Sequence, residues 1–61
     1  MHIENLILKA LRVTDMTIEE VSKKLKIHRI TATKYLSVLE AKRKIKHRDI
    51  GRAKLFSLVK Q

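Results

Sequence analysis

Basic side chains supply most of the chemistry available to this 61-residue sequence. Fifteen lysines and arginines oppose six acidic residues, which gives a formal net charge of +9. The charge is uneven: two bases oppose four acids up to Ser22 (−2), and thirteen bases oppose two acids after it (+11). A polarity this steep predicts one surface built for a polyanion. The alternative is a solvated, lysine-rich surface such as heat-stable proteins carry.

Five residues that could contact a polyanion share one face of a predicted helix. With Ala32, Tyr35 and Leu36 turned inward, the opposite face carries Arg29, Ile30, Thr33, Lys34 and Ser37. An arginine can make a bidentate contact to guanine, and an isoleucine or threonine methyl can touch the methyl group of thymine. Lys34 suits a phosphate equally well. A solvated helix face is the alternative for Arg29 and Lys34.

A second group of bases surrounds the only glycine, Gly51. Arg48, Arg52 and Lys54 flank a predicted hairpin turn. If this hairpin lies against a DNA duplex, they would flank a minor groove and its phosphates. A charged edge strand that blocks aggregation is the alternative, and both roles are compatible. Further phosphate contacts are predicted at lysines in the second helix and after the third, namely Lys23, Lys24, Lys42, Lys44 and Lys46.

Other kinds of site find little support in the sequence. There is no cysteine, and His28 and His47 stand apart, so we expect no metal site and no cofactor. No nucleophile–base pair or paired carboxylates emerge, so we expect no enzyme. The aromatics are only Tyr35 and Phe56, both assigned to the core, which argues against single-strand binding by base stacking.

The length and hydropathy predict one small domain, residues 1–61, in the cytoplasm. A chain of 61 residues allows one modest core. We recognise no secretory signal and no apolar run of about 18 residues that would span a membrane.

Three helices and a hairpin are predicted to position these residues. Apolar residues recur at helical spacing from Ile3 to Leu11, which predicts a helix over about 3–13. Thr17-Ile18-Glu19-Glu20 forms a capping box that starts a second helix, over about 17–25. A third helix follows over about 28–43, with His28 as a weak N-cap. Strands are predicted over about 45–48 and 54–59, around a turn at Gly51.

This order resembles a winged helix-turn-helix domain of the α+β class. The apolar positions of Thr17–Leu36 and the basic hairpin with Gly51-Arg52 carry the resemblance, which covers about Ile3 to Val59. Prokaryotic transcriptional regulators of the arsenic-repressor and multiple-antibiotic-resistance-repressor type share the pattern. The resemblance implies that the third helix is a recognition helix for double-stranded DNA and that the hairpin is the wing.

Three positions depart from the pattern of those regulators. Lys26 replaces the glycine usual between the second and third helices, and Arg43 replaces the glycine that often ends the recognition helix. Ser22 stands where a small residue, commonly alanine, is expected. We predict a left-handed backbone at Lys26, at a cost of roughly 1 kcal/mol.

Two rival functions stay open from the sequence. A protein-interaction module would need exposed apolar anchors on the third helix, where only Ile30 and Val38 qualify. A binder of duplex RNA, or of nucleic acids in general, would read backbone and shape, and charge alone does not exclude it. A homodimer through helix one is also predicted, because Leu8 lies off the buried stripe and two-fold operators are often read by dimers.

Overall fold

The computed structural model describes residues 2–59 and has three helices and a small antiparallel sheet. In chain order the elements are α1 (Ile3–Val13), β1 (Met16–Thr17), α2 (Ile18–Leu25), α3 (Arg29–Ala41), β2 (Ile45–Ile50) and β3 (Ala53–Leu58). The predicted α+β class, three helices with a β-hairpin, is confirmed. None of the helices within residues 2–59 is long and apolar enough to cross a membrane.

α1 lies on the core through one apolar stripe. Ile7, Ala10 and Leu11 are buried, at the i, i+3 and i+4 spacing that places residues on one helix face. Leu8, which the sequence left as a possible contact with another chain, is half-buried and packs against the core.

The start of α2 is fixed twice. The Thr17 side chain accepts a hydrogen bond from the Glu20 amide (3.2 Å), and the Glu20 carboxylate accepts one from the Thr17 amide (2.9 Å). Thr17 also belongs to β1, whose two residues pair with Leu55 and Phe56 of β3. The capping box therefore ties the helix-turn-helix segment to the sheet.

The sheet has the order β1-β3-β2, one strand more than the sequence predicted. β1 has only two residues, too short for any alternation of apolar and polar side chains to reveal it. β2 runs two residues beyond the predicted strand, to Ile50, and β3 covers Ala53–Leu58 where 54–59 was expected. A two-residue turn joins them, with Gly51 first and at φ 59, as turns of the II′ type require.

The core lies between the three helices and one face of the sheet. Its largest fully buried side chains are Ile7, Val21, Leu36, Leu39 and Ile45. Phe56 is buried as predicted, whereas Tyr35 is only half-buried at the edge of the core.

Candidate nucleic-acid interface

α3 presents its polar face to solvent. The helix has 13 residues and is therefore about 20 Å long. Ala32, Leu36 and Leu39 are fully buried, which fixes the rotation of the helix about its axis. All the residues predicted for base contacts are consequently exposed, namely Arg29, Ile30, Thr33, Lys34 and Ser37.

Two of these side chains already have partners within the chain. The Thr33 hydroxyl donates to the Arg29 carbonyl (2.9 Å), so its donor is used inside the helix. The Lys34 ammonium lies 5.8 Å from the centre of the Tyr35 ring, at the outer range of a cation–π contact. His28, at the N-cap, makes no side-chain hydrogen bond to the helix.

A surface groove joins the first residue of α3 to the hairpin. Arg29 lines it from α3, and Arg52 and Lys54 line it from the hairpin. Its volume is about 480 Å³, and its remaining lining residues are Thr17, Ile18, Glu19, Ile50 and Ala53. Three predicted contact residues that are distant in sequence therefore meet at one groove.

Arg48 lies on the other face of the hairpin. Neighbouring residues of a strand point to opposite faces, and His47 pairs with the buried Phe56, their rings 5.4 Å apart. Arg48 therefore points away from the side occupied by Phe56, and its register partner is Leu55. The basic residues predicted around the turn therefore do not all lie on one face of the hairpin.

Left-handed residues end both helices of the helix-turn-helix. Lys26 has φ 55 and Arg43 has φ 62, as glycine would at these positions. In each case the next amide bonds to the carbonyl five residues back, Ile27 to Ser22 and Lys44 to Leu39, both at 3.0 Å. These are Schellman caps. The cap at Arg43 is also the reason that α3 ends at Ala41, two residues before the predicted end.

The solved structures that resemble this chain have the same arrangement of elements. A mutant of ZitR from Lactococcus lactis superposes with a TM-score of 0.89 at 30% identity, over 93% of this chain and 41% of that one. HlyU from Vibrio cholerae gives a TM-score of 0.91 at 17% identity, over 98% of this chain and 63% of that one. The transcriptional regulator HlyU from Vibrio vulnificus gives 0.89 at 17% identity, over 95% and 60%.

The chain is a winged helix-turn-helix domain. Its resemblance to regulators of the arsenic-repressor type is confirmed. The domain spans 41–63% of the length of these solved chains. No protein-family model and no curated protein matches the sequence.

The lysines predicted as phosphate contacts are spread over several surfaces of the winged-helix domain. Lys42 forms an ion pair with Glu4 of α1 (3.0 Å), beyond the far end of α3 from Arg29. Lys23 lies 3.4 Å from Glu19 within α2, and both side chains are exposed. Lys24, Lys44 and Lys46 are also exposed, but none of them lines the groove between α3 and the wing.

His47 of the hairpin contacts the last turns of α3. Its Nδ1 atom meets a carboxylate oxygen of Glu40, which links β2 to the last turns of α3. No group of three or more possible ligands gathers anywhere in residues 2–59. This contact gives the wing a side-chain connection to α3 in addition to the core.

Ile50 is a groove residue that the sequence did not indicate as functional. It is 50% exposed and lines the groove with Arg29 and Arg52. The only sequence signal for such a role is that Ile50 is an apolar residue directly before the glycine of a basic turn. This pattern is equally typical of the last residue of a strand.

Proposed function

We propose that this domain binds double-stranded DNA in a sequence-specific manner and serves in transcriptional regulation. The observation that carries the proposal is the groove at which Arg29, from the first turn of α3, meets Arg52 and Lys54 of the wing. An α-helix fits the major groove of B-DNA, and the N-terminal residues of a recognition helix contact the base edges. The basic side chains of the wing then lie beside the flanking phosphates of the DNA.

The exposed face of α3 supports a nucleic acid more than a protein partner. It carries one large apolar residue, Ile30, among polar and basic side chains. Protein interfaces concentrate their binding energy in clusters of aromatic and apolar anchors, and the half-buried Tyr35 is the only aromatic of α3. One of the proteins of similar structure, HlyU from Vibrio vulnificus, is a transcriptional regulator, which agrees with this proposal.

A titration of duplex DNA at several salt concentrations tests the proposal. If Lys34, Arg52 and Lys54 each neutralise one phosphate, log K should fall against log salt with a slope of about −2.7. Arg52→Ala should reduce this slope by about 0.9 and weaken binding to all duplexes alike. Arg29→Ala should instead reduce discrimination between duplexes, by about 1–3 kcal/mol at one position.

Arg12→Ala is the matched control. Arg12 is exposed on α1, in the acidic part of the chain, so its loss changes net charge without touching α3 or the wing. The slope should be unchanged. An equal loss of affinity in the Arg12 and Arg52 variants would mean that the interaction is only non-specific charge attraction. Undetectable binding at low salt would refute the proposal. Stronger binding of duplex RNA in competition would favour the RNA alternative.

A homodimer through α1 remains a prediction, and because Leu8 packs against the core we propose a different apolar contact for it. The large apolar side chain that α1 exposes is Val13, at 83%, next to a groove lined by Leu6, Ala10 and Leu25. Lys9 and Lys24 also line this groove, so two copies would bring like charges together. Sedimentation of the domain with and without duplex DNA decides the question, with Val13→Ser as the variant that should weaken a dimer. A pure monomer under both conditions would contradict the prediction.

A further inference from the structure

Ile30 is the most exposed large apolar side chain in residues 2–59. It is 84% exposed and is the second residue of α3. A recognition helix reaches base edges with this part of its length. Ile30 directly follows Arg29 of the interface groove, so it lies where a duplex on α3 presents its major groove.

Thr33 extends this apolar spot. Residues at i and i+3 are neighbours on a helix surface, and the Thr33 hydroxyl hydrogen is directed to the Arg29 carbonyl at 2.9 Å. Because the donor is used inside the helix, Thr33 offers a ligand its methyl group and an acceptor oxygen. Ile30 and Thr33 together form what we call the methyl patch.

Among the four bases of unmodified DNA, only thymine has a methyl group in the major groove. We propose that the methyl patch reads the 5-methyl group of a pyrimidine under the first turn of α3, and that Ile30 is the residue that determines this specificity. The inference rests on the proposed DNA binding and adds the chemical feature that is read. It also predicts a preference for DNA over RNA, since uracil lacks this methyl group.

Substitution of deoxyuridine for thymine tests the inference, because it removes the methyl group and leaves the pairing edge unchanged. Duplexes that bind well are first selected from a random pool, and each thymine of the best one is replaced in turn. Fluorescence anisotropy at fixed salt then gives each Kd. Burial of one methyl group predicts about a four-fold loss of affinity at one or two positions. Ile30→Ala should bind the thymine and deoxyuridine duplexes equally.

Two control variants separate the methyl patch from general apolar contact. Thr33→Ser keeps the hydroxyl and removes the methyl group, so it should lose discrimination at a neighbouring position and keep it at the position that Ile30 reads. Ile50→Ala removes an equal volume from the interface groove, so it lowers the affinity for both duplexes alike and should keep the full four-fold difference between them. Ile30 and Ile50 are both at least half exposed, so neither change removes core packing.

Cytosine at the sensitive position provides an independent arm. Methylation of that cytosine should raise affinity about four-fold for the unmodified protein and leave Ile30→Ala unaffected. Salt-dependent duplex binding without any thymine–deoxyuridine difference would overturn this inference and leave the proposed function intact. Discrimination that survives in Ile30→Ala at the position assigned to Ile30 would overturn it as well. Absence of duplex binding at low salt would remove the proposed function first.

Discussion

Replacing Lys26 or Arg43 by glycine should stabilise the domain, although each change removes a charged side chain from the end of a helix. Both residues have left-handed backbone, with φ 55 and φ 62, and both are exposed. In this conformation the Cβ atom of an L-residue crowds the neighbouring carbonyl oxygen, and glycine has no Cβ atom. No other non-glycine residue in residues 2–59 has positive φ.

The magnitude follows from two opposing terms. Left-handed backbone costs a non-glycine residue about 1–2 kcal/mol, and glycine loses about 0.5–1 kcal/mol more conformational entropy on folding. The net gain is about 0.5–1 kcal/mol for each site. The sites lie at opposite ends of the 13-residue α3, so their effects should add. The double variant should therefore gain about 1–2 kcal/mol, which raises Tm by about 8–16 °C in a domain of this size.

Urea and thermal unfolding followed by circular dichroism measure these changes. Lys26→Ala and Arg43→Ala are the matched controls, since they remove the same charges but keep a Cβ atom. Gly51→Ala is the reverse change: Gly51 has φ 59 and no atom lies within 4 Å of an added Cβ, so backbone strain alone should cost about 1 kcal/mol. Glycine variants no more stable than the alanine variants would refute the reasoning.

Three further substitutions test other parts of the fold by the same unfolding measurements. Thr17→Ala removes the capping box and should cost about 1 kcal/mol; no loss would mean that pairing of β1 alone holds the start of α2. Leu36→Ala opens a cavity at a fully buried position and should cost about 2–5 kcal/mol, most of the stability of a chain of 61 residues. Ser22→Ala should stay within about 0.5 kcal/mol, because the lost 2.8 Å bond to the Glu19 carbonyl is offset by higher helix propensity.

The helices were predictable because their signals are local. The apolar stripe of α1 and the capping box of α2 each depend on residues within about one or two turns, so the sequence carries them in full. The outward face of α3 followed from the same periodicity, which placed Arg29, Ile30 and Ser37 opposite Leu36. The left-handed backbone predicted at Lys26 is present, whereas the left-handed backbone at Arg43 was not predicted.

Two features were not predictable from the sequence: the additional strand β1, and the separation of the basic side chains of the hairpin between its two faces. Both depend on pairing between distant segments. β1 is a strand only through its partners Leu55 and Phe56, about 40 residues away. The same holds for Lys42, whose partner Glu4 lies on α1. No local period of the sequence contains these contacts.

The sequence by itself determined the charge, the class of fold and the residues that face outward on α3. Only the tertiary structure decided which basic residues meet: Arg52 and Lys54 line one groove with Arg29, whereas Arg48, on the strand face opposite Lys54, does not line it. The physical reason is that successive side chains of a strand point to opposite faces of the sheet. This alternation by itself does not specify which of the two sets of side chains faces the core. Burial of Ile45 and Phe56 makes that choice, and it is a property of the packed chain.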